Sequence, residues 1–278
     1  MNHLHCAAYR LPLDRPLVMG IVNLTPDSFT GDGLAGGGDV VARAIEHARA
    51  QWEAGADILD LGAESTRPGA IATPLQEELD RLLPLLEAIA GWGVPVSIDT
   101  YKPEVMRAAI AAGAAMINDI CGLTRPGALE AVAASDVGVC LMHMQGEPGT
   151  MQVAPQYRDV VAEVGDFLAG RVDACRAAGI DDARIVLDPG FGFGKTLEHN
   201  LALLRDLPAT SPEGLPILAG MSRKTMIGQI TGRPVAERLP GSLAAALLAA
   251  DGGAKIIRVH DVAATRDVLS VWQAVRQQ

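Results

Sequence analysis

The sequence predicts an α/β fold, a single (β/α)8 TIM barrel with its active site at the C-terminal ends of the strands. Three observations carry that prediction. Short apolar runs rich in β-branched residues alternate with Ala/Leu/Glu-rich helical patterns, and alternation of this kind builds βαβ units on a parallel sheet. Eight such units fit within 278 residues, which matches a closed barrel in count and length. Polar side chains crowd the ends of the runs and leave their starts bland, as in a barrel whose C-terminal face carries the chemistry. A doubly wound sheet also alternates strands with helices; the number of units favours the barrel.

The runs fall at 18–23, 57–62, 94–99, 116–119, 137–143, 185–188, 217–221 and 256–260, with helical patterns such as 40–51, 75–90, 103–112, 157–177 and 243–250 between them. The first run ends on Asn23, and period two turns Met19, Ile21 and Asn23 to one side. A long Gly-rich connection follows, at 24–39, and a second long one at 64–74 follows the second run. Loops of that length in a compact domain are usually functional. Asp60 lies inside the second run, where it either faces the mouth or, as the favoured reading, is a buried carboxylate with a structural partner. Glu64, just beyond it, reads as an acceptor within its own loop.

The third run ends on Asp99 and the fourth on Asn118 and Asp119. In the fifth, Cys140 reads as core, and His143 is structural because its parity opposes Met142. The sixth ends on Asp188; His199, at a helix start beyond it, suits a helix-end role or a ligand role equally. Ser222, Arg223 and Lys224 follow the seventh, with Arg223 divided between a salt bridge and the site. The eighth carries Arg258 and His260, two apart and therefore on one side, a guanidinium beside an imidazole for an oxyanion ligand. Asp99, Asn118 and Asp188 form a different surface, suited to a ligand with several N–H donors in one plane. No composition break divides the chain, so residues 1–16 are expected to be an N-terminal extension and 17–278 the barrel domain.

Some function classes are excluded at this stage. A formal charge of −10 argues against a nucleic-acid or anionic-membrane surface. No apolar run approaches a membrane span, so a cytoplasmic protein with reduced thiols is expected. The cysteines Cys6, Cys121, Cys140 and Cys175 lack zinc-ligand spacing, and the "HLHC" start reads as a solvated tail rather than a metal site. "DPGFGFGKT" (188–196) imitates a phosphate-binding loop. The nucleotide-binding pattern, however, needs glycine five residues before Gly194-Lys195-Thr196, where this chain has Pro189. Proline removes a backbone N–H from a loop that works through its N–H groups.

The segments "MGIVNLTPDSF" (19–29), "ESTRPGA" (64–70), "SIDTYKPEV" (97–105), "INDI" (117–120), "DPGFGFGKTLEHN" (188–200), "GMSRKTMIG" (220–228), "GSLAAA" (241–246) and "RVHDV" (258–262), in this order, resemble the dihydropteroate synthase family. The resemblance spans the chain from about Leu17 to its end. It implies a transferase of folate biosynthesis that joins 6-hydroxymethyl-7,8-dihydropterin pyrophosphate to p-aminobenzoate, releasing pyrophosphate. It also implies Mg2+, a homodimer and inhibition by sulfonamides that compete with p-aminobenzoate. On the matching positions, Asp99, Asn118 and Asp188 would hydrogen-bond the pterin, with Lys224 on its ring oxygen and nitrogen. Met142, Gly192 and Phe193 would line that pocket, and Arg258 would pack on the pterin and reach the leaving group. Asn23, Arg67, Arg258 and His260 would hold pyrophosphate, with Asn23 the metal-associated residue. Phe29, Thr66, Arg67, Pro68 and Ser222 would shape the p-aminobenzoate site.

The resemblance places Arg67, Lys224, Arg258 and His260 in catalytic roles, with cations at Arg67, Arg258 and His260 meeting the negative charge that grows on the leaving group. No nucleophilic serine or cysteine is needed for such a dissociative reaction. Arg258 is expected to hold its charge exposed in the mouth, so that its loss harms turnover more than folding. The chain departs from the family where Thr30-Gly31-Asp32-Gly33 displaces Asp32 by one glycine, and where Ala63 replaces a glycine. Two rival readings are a pterin-dependent methyltransferase, which needs no pyrophosphate site or Ser-Thr-Arg-Pro loop, and a non-catalytic pterin-binding paralogue, free to lose Arg67, Lys224 or Arg258. The chain has all of these features.

Overall fold

The structure is a computed structural model that describes residues 2–24, 37–64, 72–147, 149–211 and 214–276. Two short strands come first, β1 (His3–Cys6) and β2 (Tyr9–Pro12), paired as an antiparallel hairpin. Eight parallel strands follow: β3 (Leu17–Asn23), β4 (Ile58–Gly62), β5 (Val96–Asp99), β6 (Met116–Asp119), β7 (Gly138–Met142), β8 (Ile185–Asp188), β9 (Leu218–Ala219) and β10 (Ile256–Val259). Their spatial order is β8-β7-β6-β5-β4-β3-β10-β9, and a parallel bridge from Leu187 to Ile217 joins β8 to β9. The sheet thus closes on itself as the predicted (β/α)8 TIM barrel. Short β9 makes the seam the thinnest part of the wall.

Strand alternation sorts the core into two compartments. Val18, Val22, Leu59, Leu61, Ile98, Ile117, Val139, Leu141, Ile185, Leu187, Ile257 and Val259 face outward into the shell beneath the helices. The intervening Leu17, Met19, Ile58, Met116, Cys140, Val186, Leu218 and Ile256 fill the lower interior with apolar volume. Side chains in register above them are polar, so the same period that packs the bottom delivers chemistry to the top.

Helices cover the outside, among them Gly37–Glu53, Leu75–Ile89, Pro103–Ala111, Val160–Ala177, Leu197–Arg205, Leu239–Asp251 and Val262–Arg276. Local signals set their starts. Pro103 takes the first turn of its helix, where a missing N–H costs nothing, and the Asp159 carboxylate accepts from Val161 and Ala162 N–H. No helix among the described residues is long and apolar enough to cross a membrane.

The expected solvated tail is instead a plug. Leu4 and Cys6 are fully buried and join the inner core at the lower end of the barrel. Gly138 makes room for them, since a Cβ there would lie 2.6 Å from Cys6 Sγ. Alternation explains the error, because His3 and His5 face out while Leu4 and Cys6 face in, and a short polar-looking hairpin conceals its apolar side.

Candidate active site

Register brings the strand ends level. Asn23 pairs with Gly62, Gly62 with Asp99 and Asp99 with Asn118, and Met142 pairs with Asp188 on the opposite wall. Gly62 leaves the space between two oxygens open, because a Cβ there would stand 3.6 Å from Asn23 Oδ1 and 3.7 Å from Asp99 Oδ2.

Arg258 ties the floor of this mouth together. Its Nε donates to Asp60 Oδ2 at 2.6 Å and its Nη2 to Asp99 Oδ2 at 2.7 Å, while Asn118 Nδ2 donates to the same Asp60 oxygen at 3.2 Å. The guanidinium is therefore not the exposed charge expected from the sequence; its side chain is only 18% exposed and lies between two carboxylates. Burial alone would lower its pKa, but Asp60 and Asp99 hold it above its ordinary value. Burial pushes Asp99 up to about 7, with Arg258 pulling it down and Asp60 repelling it. Asp60 was read as a buried, partnered carboxylate and is one, but it also belongs to the site. Parity with Gly62 was the signal, since residues two apart on a strand share a face.

Asp188 and Lys224 form the other half of the floor. Asp188 Oδ1 accepts the Gly190 N–H at 2.7 Å, and burial raises its carboxyl against the pull of Lys224. Lys224 Nζ donates to Phe191 O at 2.5 Å and stands 4.7 Å from the Phe193 ring centroid. Burial lowers this ammonium to about 8 while Asp188 raises it. Ile120, Cys121 and Met142 pack with Tyr101, Met144 and Phe193 into a separate apolar cluster beside these polar ends. Ile120 and Tyr101 were not anticipated, since nothing in local sequence marks a loop residue as part of a pocket wall.

The glycine-rich turn after Asp188 is packed against backbone. Gly190 and Gly194 have φ of +70° and +60°, and a Cβ would come within 1.9 Å of His143 O at the first and 2.5 Å of Gln145 O at the second. Lys195 turns away into the interior, 3% exposed, with Nζ 3.0 Å from His143 Nδ1 and 3.0 Å from Phe193 O. Burial, and then the Lys195 charge, lower His143 to about 3, so its ring is neutral, packed edge-on against Phe167. His143 is thus structural, and His199 closes a capping box with Thr196 at a helix start. Arg223 forms its ion pair with Asp261, and Glu64 accepts from Thr73 N, Tyr101 Oη and Lys102 Nζ.

His260 and Ser222 meet at the rim. Ser222 Oγ accepts the His260 backbone N–H at 3.2 Å and lies 3.0 Å from its Nδ1. Burial, reinforced by Arg258 and Arg223, lowers His260 to about 4, so before a ligand binds the ring is neutral where a cation was expected. Phe29, Thr66, Arg67 and Pro68, and the altered segment Thr30-Gly31-Asp32-Gly33, lie outside the described residues. Among the described residues no group of three or more His, Cys, Asp or Glu side chains could hold a metal ion. Asn23 offers a neutral side-chain oxygen at the mouth. Chemically, the floor presents buried acceptors and one lysine beside an apolar cluster, which suits a flat heterocycle bearing several N–H donors.

The sequence matches the pterin binding enzyme family over residues 19–260. It is 51% identical to a dihydropteroate synthase of Neisseria meningitidis serogroup B over 96% of this chain and 95% of that protein. It is 52% identical to the Escherichia coli dihydropteroate synthase over 95% of this chain and 93% of that one. A crystal structure of the Burkholderia cenocepacia dihydropteroate synthase, complexed with 7,8-dihydropteroate, superposes with a TM-score of 0.90 at 54% identity, covering 99% of this chain and 96% of that one. The Xanthomonas albilineans synthase with 4-aminobenzoic acid gives a TM-score of 0.92 at 54% identity, covering 99% and 98%. With fold, strand-end residues and relatives in agreement over nearly the whole length, the chain belongs to the pterin binding enzyme family, among its dihydropteroate synthases.

Proposed function

We propose that the mouth condenses 6-hydroxymethyl-7,8-dihydropterin pyrophosphate with p-aminobenzoate, giving 7,8-dihydropteroate and pyrophosphate, with the residues divided as follows. Asp99, Asn118 and Asp188 accept hydrogen bonds from the pterin, and Lys224 donates to its ring oxygen and nitrogen. Met142, Gly192 and Phe193 cover its faces. Arg258 lies against the pterin and keeps Nη1, which has no hydrogen-bond partner among the described residues, for the leaving group. Asn23, Arg67 and His260 hold pyrophosphate, His260 by donating a hydrogen bond from its neutral ring. Phe29, Thr66, Arg67, Pro68 and Ser222 shape the p-aminobenzoate site.

The observation that carries this reading is the charge of the floor. Asp60, Asp99 and Asp188 lie buried among Arg258, Lys224 and the more remote Lys195, so carboxylates stand directly beneath the mouth. When the bond from the pterin methylene to the pyrophosphate oxygen breaks, positive charge grows on the pterin, and the carboxylates beside it stabilise that charge. The p-aminobenzoate nitrogen then bonds to that carbon and releases a proton. The protein need only bind, orient and exclude water, with no covalent intermediate.

Asn23 fits Mg2+ in the way this metal is commonly held, by one or two protein oxygens completed by substrate phosphates and water. Bound there, the ion would neutralise the leaving pyrophosphate. A homodimer and a cytoplasmic location belong to the same reading. Exposed Ile230, Val235 and Leu248 on successive segments around helix Leu239–Asp251 support association, and sedimentation of the purified protein as a monomer would remove that part.

A product assay with pterin pyrophosphate and p-aminobenzoate, with Mg2+ present or chelated, tests the whole. Dihydropteroate and pyrophosphate should appear together and only with metal. Pterin binding without product would instead favour a silent paralogue.

A further inference from the structure

We propose that Asp60 is a positioning residue for the pterin site, fixing which end of the Asn118 amide and which edge of the Arg258 guanidinium meet the ligand. The inference rests on the pterin reading of the mouth. Asp60 is fully buried on β4, beneath the acceptor set. Its Oδ2 receives both Asn118 Nδ2 at 3.2 Å and Arg258 Nε at 2.6 Å.

An ionised carboxylate only accepts hydrogen bonds. The Asn118 amide must therefore turn its NH2 group toward Asp60, and the carbonyl oxygen is left for the ligand. That oxygen meets only an N–H or O–H donor, so the chemical sense of the position is set one layer below it. Without the carboxylate the amide is free to rotate by half a turn and present a donor where an acceptor is needed. The same Asp60 oxygen takes Arg258 Nε while Asp99 takes Nη2 at 2.7 Å, which fixes the plane of the guanidinium and leaves Nη1 without a partner among the described residues.

A second observation separates this carboxylate from an ordinary structural ion pair. Among the described residues, Asp60 Oδ1 is buried without a hydrogen-bond partner, as is Ser97 Oγ, and Asp60 and Ser97 are register neighbours on β4 and β5. A charge buried half satisfied is a poor device for stability alone. It suits a residue kept for its orienting effect on the groups above it.

Asp60→Asn tests the role, because it keeps the shape, removes the charge and lets the Asn118 amide adopt either orientation. Binding of 6-hydroxymethylpterin should weaken by about tenfold or more, the scale on which supporting residues act on a site, while KM for p-aminobenzoate stays within about twofold by the same reasoning. A variant that melts like the parent and binds the pterin with parental affinity would overturn the proposal. Should the variant fold poorly, the parent protein supplies a second readout. The 15N side-chain amide of Asn118, identified by its loss in Asn118→Ala, should show one proton shifted by hydrogen bonding and slow to exchange, and rapid exchange of both protons overturns the proposal. Asp188→Asn, run in parallel, separates the two layers of argument. If it loses pterin while Asp60→Asn does not, only the role of Asp60 falls; if the parent binds no pterin, the reading of the mouth falls with it.

Discussion

Replacing Arg258 by alanine removes a buried counter-ion and, on the proposed reading, a ligand contact. Asp60 and Asp99 would then lose the cation that both of them bond, and breaking a buried pair in this way typically costs about 3–5 kcal/mol. The expected result is loss of turnover together with a marked fall in melting temperature. Full stability in an inactive Arg258→Ala protein would mean that the carboxylates find other partners. The sequence showed by period two that Arg258 and His260 share a face. It could not show their charge states, since those depend on how deeply each is buried and on carboxylates remote in sequence. His143 gives a residue-scale test by pH. Its folded value of about 3 lies below the ordinary 6.5, so between these the unfolded chain binds the extra proton. Stability supplied by the neutral ring is full above 6.5 and falls as pH drops toward 3, by at most about 1.4 kcal/mol per unit. Urea unfolding of His143→Gln should show a shallower loss between pH 6.5 and 5 than the parent, and identical slopes would contradict the assignment.

Among the elements, the turn after β8 and the N-terminal hairpin show two different limits of reading. The turn could be separated from a nucleotide loop by Pro189 alone, and the structure supplies the positive reason for its glycines, which is close contact with the backbone at His143 and Gln145. The hairpin was hidden, because four residues with two histidines carry too little periodicity to reveal a buried side. Leu4 is fully buried against the inner core. Leu4→Ala should therefore destabilise by about 2–5 kcal/mol, as core truncations do, with the kinetic constants of the folded enzyme little changed because the plug lies at the end of the barrel away from the mouth. A melting temperature equal to the parent's would return the segment to the status of a loose tail.

At the scale of the whole molecule, the barrel was legible because alternation and unit count are properties of long stretches, averaged over many residues. The floor was half legible. Strand-end residues announce themselves by polarity, whereas Asp60, one layer down, looks like any buried acid until its partners from β6 and β10 are in place. On the proposed reading, an acidic protein can handle a pyrophosphate because the carboxylates of the floor would serve the heterocycle while Asn23 and His260 at the rim would meet the phosphates. The central claim is that the acceptor set at the strand ends binds a pterin. Calorimetric titration of the parent and of Asp188→Asn with 6-hydroxymethylpterin tests it most directly. Loss of a charge-assisted hydrogen bond, about 1.5–3 kcal/mol, predicts binding weakened by about tenfold to a hundredfold in the variant. Equal affinity in the two proteins would contradict the account.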